Sequence, residues 1–509
     1  MELRNEPFAS FDTKISRLSS SLYSTTCNWL ILAIGVLLRT AQFLYNRSLT
    51  EGEAALALNI VQRSYSELLK PLDYVQAAPV GFLIIQRWAL NMFGNSEYSL
   101  RIIPLIAGIA SLFLFYRLAK QILNEKGLTF SLILFTVCDH LIYFSSEVKQ
   151  YSTDVFFTLI ILLSAYLVIK KHLNIKYIIS FGIVGGLSYW FSHPALFIFS
   201  GAIIVLLLCV IEEKNWNVLF WLISAGLISL ISFIVNYQLS LEAISKNRTL
   251  VDFWQPSFMP LPPTNLNDLK WFPYVFLRIF KFPIGLSVYE LLLAVLSFVF
   301  GFAVLFYKKT KIFLLLILPI LFTLLASGLQ KYPFEGRLLL FLTPVMILII
   351  AEGIEYIRKT SSQGSPLIGF ALVFILLIHP VCLAGYRLFK PRAPEELRPM
   401  MEYVAEHYRT GDIVYVYYAS INAFRYYAHR FDYTDNYIQG IEARDNWSAY
   451  YKEIEQLKGK GRVWFLFSHI YADKGADEEK LFVSYLNTMA LQLDAAKAPG
   501  AAAYLYHFP

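Results

Sequence analysis

Four short polar stretches break a chain that is otherwise strongly apolar. The first, SLTEGEAALALN, places Glu51 and Glu53 at the start of a run with helical apolar spacing. Acids in a first helical turn favour the helix dipole, so N-capping accounts for them without any chemistry. Facing a cavity at a membrane surface, the same carboxylates could act as a general base or hold a divalent cation such as Mg or Mn. The second stretch, PLDYVQAAPVGF, carries Asp73, a residue type common in turns. The third, SSEVKQYSTD, holds Glu147, Lys149, Gln150, Tyr151 and Asp154. The fourth, KYPFEGRLLLF, holds Lys331, Glu335 and Arg337. Arginine grips a phosphate bidentately and lysine binds it as a point charge. The plainer readings are a solvated Glu147–Lys149 loop and headgroup snorkelling by Lys331 and Arg337. His193, before Pro194, is a lone histidine between two apolar runs, a setting more often structural than functional.

The elements that must position these residues follow from composition. The chain has 509 residues, 57% of them hydrophobic and 16% charged, with a mean hydropathy of +0.51. A soluble chain of this length needs more polar surface. Disordered, collagen-like and disulfide-scaffold classes are also excluded. The net charge of +7 is spread in small clusters between apolar runs, which argues against a nucleic-acid partner. What remains is an α-helical polytopic membrane protein.

About eleven apolar segments have spanning length, near 27–45, 101–123, 128–145, 153–170, 175–192, 194–211, 217–237, 287–307, 312–329, 338–357 and 366–386. Every second short connection is basic: Lys120 and Lys126, Lys170, Lys171 and Lys176, Lys214, Lys308 to Lys311, then Arg358 and Lys359. The polar tail 1–26, with Arg4, Lys14 and Arg17, falls on that side. The positive-inside rule makes it cytoplasmic, and an odd number of spans puts the C-terminus outside. The outer pieces are then loops 46–100 and 238–286 and the segment 387–509, the spanning part being 27–386. Within the first loop, Pro79–Phe93 is too short to span and reads as a surface helix. In 387–509, an amphipathic stretch over 394–409 precedes strand-like runs at 413–418, 463–467 and 502–507, with a helix near 447–457. This alternation predicts a small extracytoplasmic α/β domain.

All four polar stretches and His193 thus fall at the outer surface. Carboxylates and cations converging there suit glycosyl transfer from a lipid phosphate. Cations, or a metal held by the acids, would stabilise the phosphate leaving group while a carboxylate deprotonates the acceptor hydroxyl.

Four stretches resemble the GT-C superfamily, in particular the protein-mannosyltransferase-like bacterial membrane glycosyltransferases that include lipid A aminoarabinose transferases. RSLTEGEAALALN is similar to that family's acidic motif in the first external loop. PVGFLIIQRWALNMFGNSEYSLRIIPLIAGIASLFLFYRLAKQI is similar to its surface helix and second span. YFSSEVKQYSTD is similar to its Glu-x-(Arg/Lys)-x-Tyr segment, and YPFEGRLLLFLTP to its late basic loop. The resemblance covers about residues 28–386. In the family pattern, Asp-Glu often precedes the Ala-rich helix; here Gly52 stands at the Asp position, beside Glu51 and the retained Glu53. Either Glu51 takes the acidic role, or Glu53 holds it, or the chain is an inactive paralogue.

The resemblance implies an inverting transferase in the inner membrane of a bacterium. Its donor would be a polyprenyl-phosphate sugar, its acceptor a cell-envelope glycolipid, polysaccharide or protein, and membrane lipids would surround it. Glu53 and Glu51 would be base or metal ligands and Asp73 an auxiliary acid. Lys149, Lys331 and Arg337 would contact the donor phosphate, with Glu147, Tyr151 and His193 in the pocket. Two rival classes exist. A transporter or flippase of a lipid-linked intermediate would also need outer cations, but such proteins usually show paired halves and midplane polar residues, and no repeat is visible here. A scaffold or sensor would use only its outer domain.

Overall fold

The computed structural model describes residues 24–242, 248–362, 366–435, 437–472 and 475–509. The expected tail, 1–26 with its basic residues, lies almost wholly outside them. Nine helices among the described residues are long and apolar enough to cross a membrane. They include α1 (Thr25–Leu44), α4 (Glu97–Ile122), α7 (Tyr151–Lys170), α9 (Ala195–Glu212) and α10 (Trp216–Asn236). The later ones are α13 (Val288–Lys308), α14 (Thr310–Gly328), α15 (Thr343–Ser362) and α16 (Pro366–Phe389).

Two of the eleven expected spans are not single long helices. The third is split into α5 (Glu125–Val137) and α6 (Asp139–Phe144) at Cys138, whose ψ of 111° leaves helical geometry. The fifth is α8 (Ile175–Ser188), 14 residues long, about 21 Å against a hydrocarbon core of roughly 30 Å. It ends in a turn before Pro194, since the residue preceding a proline resists helical geometry.

The basic connections meet at one end of the bundle. Lys170 Nζ donates to Gln121 Oε1 at 2.6 Å, Lys309 Nζ donates to the Ile122 carbonyl at 2.8 Å, and Lys311 pairs with Glu212 at 2.8 Å. Helix α4 brings the chain to that end from the other, where Arg101 meets the loop between α1 and α4. At the bundle's centre α15 packs closely on α13: a β-carbon on Gly353 would stand 1.7 Å from the Ser297 carbonyl, so no larger residue fits.

The loop between α1 and α4 holds α2 (Glu51–Gln62) and α3 (Val80–Phe93). The latter is the expected surface helix, burying Phe82, Leu83, Gln86 and Leu90 and exposing Trp88 and Met92. Residues Leu266–Lys281 form an amphipathic helix, α12, over the later outer loop.

The C-terminal segment forms a five-stranded sheet, order β2-β1-β3-β5-β4. Strands β1 (Ile413–Val416), β2 (Tyr437–Gln439) and β3 (Gly461–Ser468) are parallel, while β5 (Ala501–Phe508) runs antiparallel to β3 and to β4 (Leu491–Ala498). Helices α17 (Leu397–His407), α18 (Ile421–Ala428), α19 (Trp447–Glu455) and α20 (Glu478–Met489) cover it. One apolar cluster joins the two parts: Leu56, Ile60 and Phe82 of the loop before α4 pack with Met401, Val404 and Phe424. The sheet is thereby seated on the end of the bundle opposite the basic connections.

Candidate functional site

Thr50 caps α2, and its hydroxyl and backbone N–H close a capping box with Glu53. The Glu53 carboxylate does more than cap. It has no accessible surface, and it binds the guanidiniums of Arg47 and Arg101, the latter at 3.1 Å. It also accepts from the Val148 N–H at 2.9 Å. One buried carboxylate therefore ties together the 47–53 segment, the start of α4 and the 146–148 turn. Burial alone would push the Glu53 carboxyl up, but the Arg101 and Arg47 charges overcome it and hold the group at about 2.

Glu51 faces the sheet. Its carboxylate accepts from the Asn422 N–H at 3.1 Å, the Asn422 amide at 2.6 Å and the Ala423 N–H at 3.0 Å, at the start of α18. Its own N–H donates to Glu395 at 2.8 Å. Burial raises the Glu51 carboxyl to about 7 in spite of these donors.

A divalent cation does not fit Glu51 and Glu53. The Glu53 oxygens face two guanidiniums, which would repel a cation, and the Glu51 oxygens are occupied by the α18 donors. Among the described residues, no three His, Cys, Asp or Glu side chains are gathered as metal ligands. Asp73 points away: its carboxylate is 66% exposed and pairs with Arg63 at 2.7 Å.

The cations and the pocket residues do come together. A cavity of about 480 Å³ is lined by Lys149, Lys331, Arg337, Tyr151 and His193, together with Gly52, Gln76, Asp154, Trp254, Tyr332 and Tyr471. Its walls come from the loop before α4, the α7 start, the turn before α9, the segment after α10, the 331–338 turn and the C-terminal segment. The Lys149 ammonium donates to Gln76 Oε1. The Arg337 guanidinium stands 5.9 Å from the Tyr151 ring centroid, and that of Arg444 stands 3.8 Å from the ring of Tyr471.

Glu147 is buried beside this cavity, one of its oxygens lacking a hydrogen-bond partner. Burial and the neighbouring Glu53 charge raise its carboxyl to about 7. Burial and the Arg337 charge lower the Lys149 ammonium to about 7. Burial holds His193 near 4, hence neutral, with Nε2 unpartnered.

Asp154 is the carboxylate that lines the cavity. It is 4% exposed and Oδ1 has no hydrogen-bond partner. A buried acid with an unpartnered oxygen in a cleft is a candidate for a functional group. Its signal in the sequence was an acid in the first turn of an apolar span. Arg47 and Arg101 had a weaker signal, being basic residues on the outer side; nothing local indicated that both would close on Glu53.

Residues 76–237 match the family described as Dolichyl-phosphate-mannose-protein mannosyltransferase. No curated protein matches the chain. Two solved structures share the fold at low identity. ArnT from Cupriavidus metallidurans in the apo state has a TM-score of 0.54 at 10% identity, over 95% of this chain and 98% of that one. The same protein bound to undecaprenyl phosphate has a TM-score of 0.54 at 9% identity, with the same coverage.

Proposed function

We propose, from the fold shared with ArnT and the partial family match, that this chain transfers a sugar from a polyprenyl-phosphate-linked donor to a cell-envelope acceptor. The reaction takes place at the outer face of a bacterial cytoplasmic membrane, with inversion at the anomeric carbon. The observation carrying this reading is the cavity in which Lys149 meets the sequence-distant Lys331 and Arg337, around a space also lined by Asp154 with one oxygen unpartnered. A structure of the same fold bound to undecaprenyl phosphate supports the choice of donor.

The three cations bind the donor phosphate and stabilise it as it leaves. The bond from the anomeric carbon to the phosphate oxygen breaks, and the acceptor oxygen bonds to that carbon from the opposite side. Asp154 takes the acceptor's proton. Tyr151, Tyr332 and Trp254 offer aromatic surface to the sugar and the lipid's first units. Glu53 and Glu51 are positioning residues: one ties the outer loop to the 146–148 turn, the other to α18. Tyr471 brings the C-terminal segment to the cavity, where it bears on acceptor choice.

The test is a transfer assay in nanodiscs, with labelled polyprenyl-phosphate sugars and a membrane lipid extract as acceptor. Transfer by the wild type that Arg337→Ala and Asp154→Asn abolish supports the proposal. No turnover of any donor tried, together with lipid flipping in proteoliposomes, would make the protein a transporter instead.

A further inference from the structure

The 331–338 turn is a wall shared by two cavities. Lys331, Tyr332 and Arg337 line the one described above, while Phe334, Glu335 and Gly336 line another, of about 260 Å³. Gly336 separates Glu335 from Arg337 and has a φ of +55°, a left-handed conformation that glycine adopts without strain. The two charges line different cavities. The second cavity is completed by Ser257 and by one edge of α12, which contributes Trp271, Tyr274 and Arg278.

Aromatic rings and a matched pair of charges meet in this second cavity. Arg278 pairs with Glu335 at 2.7 Å, and their side chains are 42% and 25% exposed, so both are accessible. Ser257 Oγ donates to Glu335, and Arg278 Nη1 donates to the Tyr274 hydroxyl at 3.4 Å. A guanidinium has more N–H donors, and a carboxylate more acceptor sites, than these contacts use. Trp271 packs beside Phe334, with ring centroids 6.3 Å apart. Tyr274 is 60% exposed, which leaves ring surface open.

We infer that this second cavity seats a sugar ring of the acceptor, which makes the acceptor a glycan; the inference rests on the transferase reading above. A pyranose offers what this lining takes. Its hydroxyls donate to Glu335 and accept from Arg278 through charge-assisted hydrogen bonds, and its C–H faces lie on the rings of Trp271 and Tyr274. An anion would have to displace Glu335 from Arg278. An apolar chain would bury that ion pair without replacing the water it loses. The volume falls just under the roughly 300–1,000 Å³ of drug-sized sites, which suits one ring rather than a long glycan. The next ring of the same glycan then meets the donor across the shared turn.

Steady-state transfer by the full chain in nanodiscs tests this, with a membrane lipid extract as acceptor. Saturation-transfer NMR runs beside it, the probe being the water-soluble glycan released from that extract by mild acid. Tyr274→Ala should raise the acceptor KM about ten-fold and leave the donor KM near wild type. Arg278→Gln/Glu335→Gln, which removes the two charges together, should do the same. Tyr274→Phe keeps the ring and should keep an acceptor KM near wild type. Phe272→Ala, an exposed ring of the same helix outside the cavity, should change neither constant. The glycan's NMR signal should fall wherever the acceptor KM rises. If the paired variant does not fold, Tyr274→Ala against Tyr274→Phe makes the comparison. An acceptor KM unmoved by the cavity variants, or raised equally by Phe272→Ala, would overturn the inference. So would a wild type that transfers to protein and binds no glycan. If the wild type transfers nothing, the transferase reading falls and the NMR alone decides the cavity: glycan binding lost in Tyr274→Ala keeps it as a sugar site, and no binding removes it.

Discussion

Gly52 faces Lys149 across the cavity: a β-carbon at Gly52 would stand 4.0 Å from Lys149 Cε, an ordinary van der Waals contact. The position at which the resembling family often carries an acid is therefore open here, and Lys149 is held by the neutral Gln76 instead. Leaving out that acid keeps the lysine's charge available to a phosphate.

Gly52→Asp should therefore fold normally, with an unfolding temperature close to wild type. The new carboxylate would compete with the donor for Lys149. The donor KM should rise about ten-fold, equivalent to about 1.4 kcal/mol. Steady-state kinetics beside thermal unfolding check both parts, and a large fall in unfolding temperature would show that the site has less room than its geometry indicates.

Glu53→Gln should act on stability. It leaves Arg47 and Arg101 buried without their counter-charge, which costs about 3–5 kcal/mol. The Glu53 carboxyl is held at about 2, below its ordinary 4.5. Its stabilisation is thus fully present above pH 4.5 and is lost as pH falls toward 2. The gap in unfolding temperature between wild type and Glu53→Gln should close over that window. A variant as stable as wild type but inactive would instead make Glu53 a catalytic acid.

Donor affinity should weaken as pH rises through about 7. Lys149 and Glu147 both lie near 7. Whichever group gives up its proton first, the site becomes more negative across that range. The donor KM should climb above neutrality in the wild type and climb less in Lys149→Arg, whose guanidinium stays charged. Equal profiles would assign the change to Glu147 rather than to Lys149.

Asp154→Asn should lower kcat about 10²–10⁴-fold, the usual contribution of a positioned base, and leave donor KM nearly unchanged. Asp73→Asn should leave both constants near wild type, because its exposed carboxylate lies against Arg63, away from the cavity. Loss of activity in the second variant rather than the first would exchange their roles.

Much of the architecture was legible from the chain itself. Spanning segments announce themselves because a bilayer demands about 20 apolar residues per helix. Basic connections alternate with outer ones, and in the structure they gather at one end of the bundle. Strands β1, β3 and β5 stood out as runs of aromatic and branched residues, whereas β4, an exposed edge strand of sequence LQLDAAKA, carried no such pattern. The break at Cys138 was hidden too, since an apolar run reads the same whether or not one ψ angle leaves the helix.

Lys149, Lys331 and Arg337 could be picked out as outer cations by type and topology alone. Which acid joins them could not. Glu51 and Glu53 look equivalent in sequence, yet one turns to α18 and the other is enclosed by Arg47 and Arg101. Asp154, inside an apolar run, is the carboxylate that lines the cavity with one oxygen unpartnered. Hydropathy is set by each residue and its near neighbours, so sequence determined the helices and their order. The partners of Glu53 and Glu51 include Arg101, 48 positions away, and Ala423, 372 positions away, so only the tertiary structure decided which acids are neutralised and which stays open to a substrate.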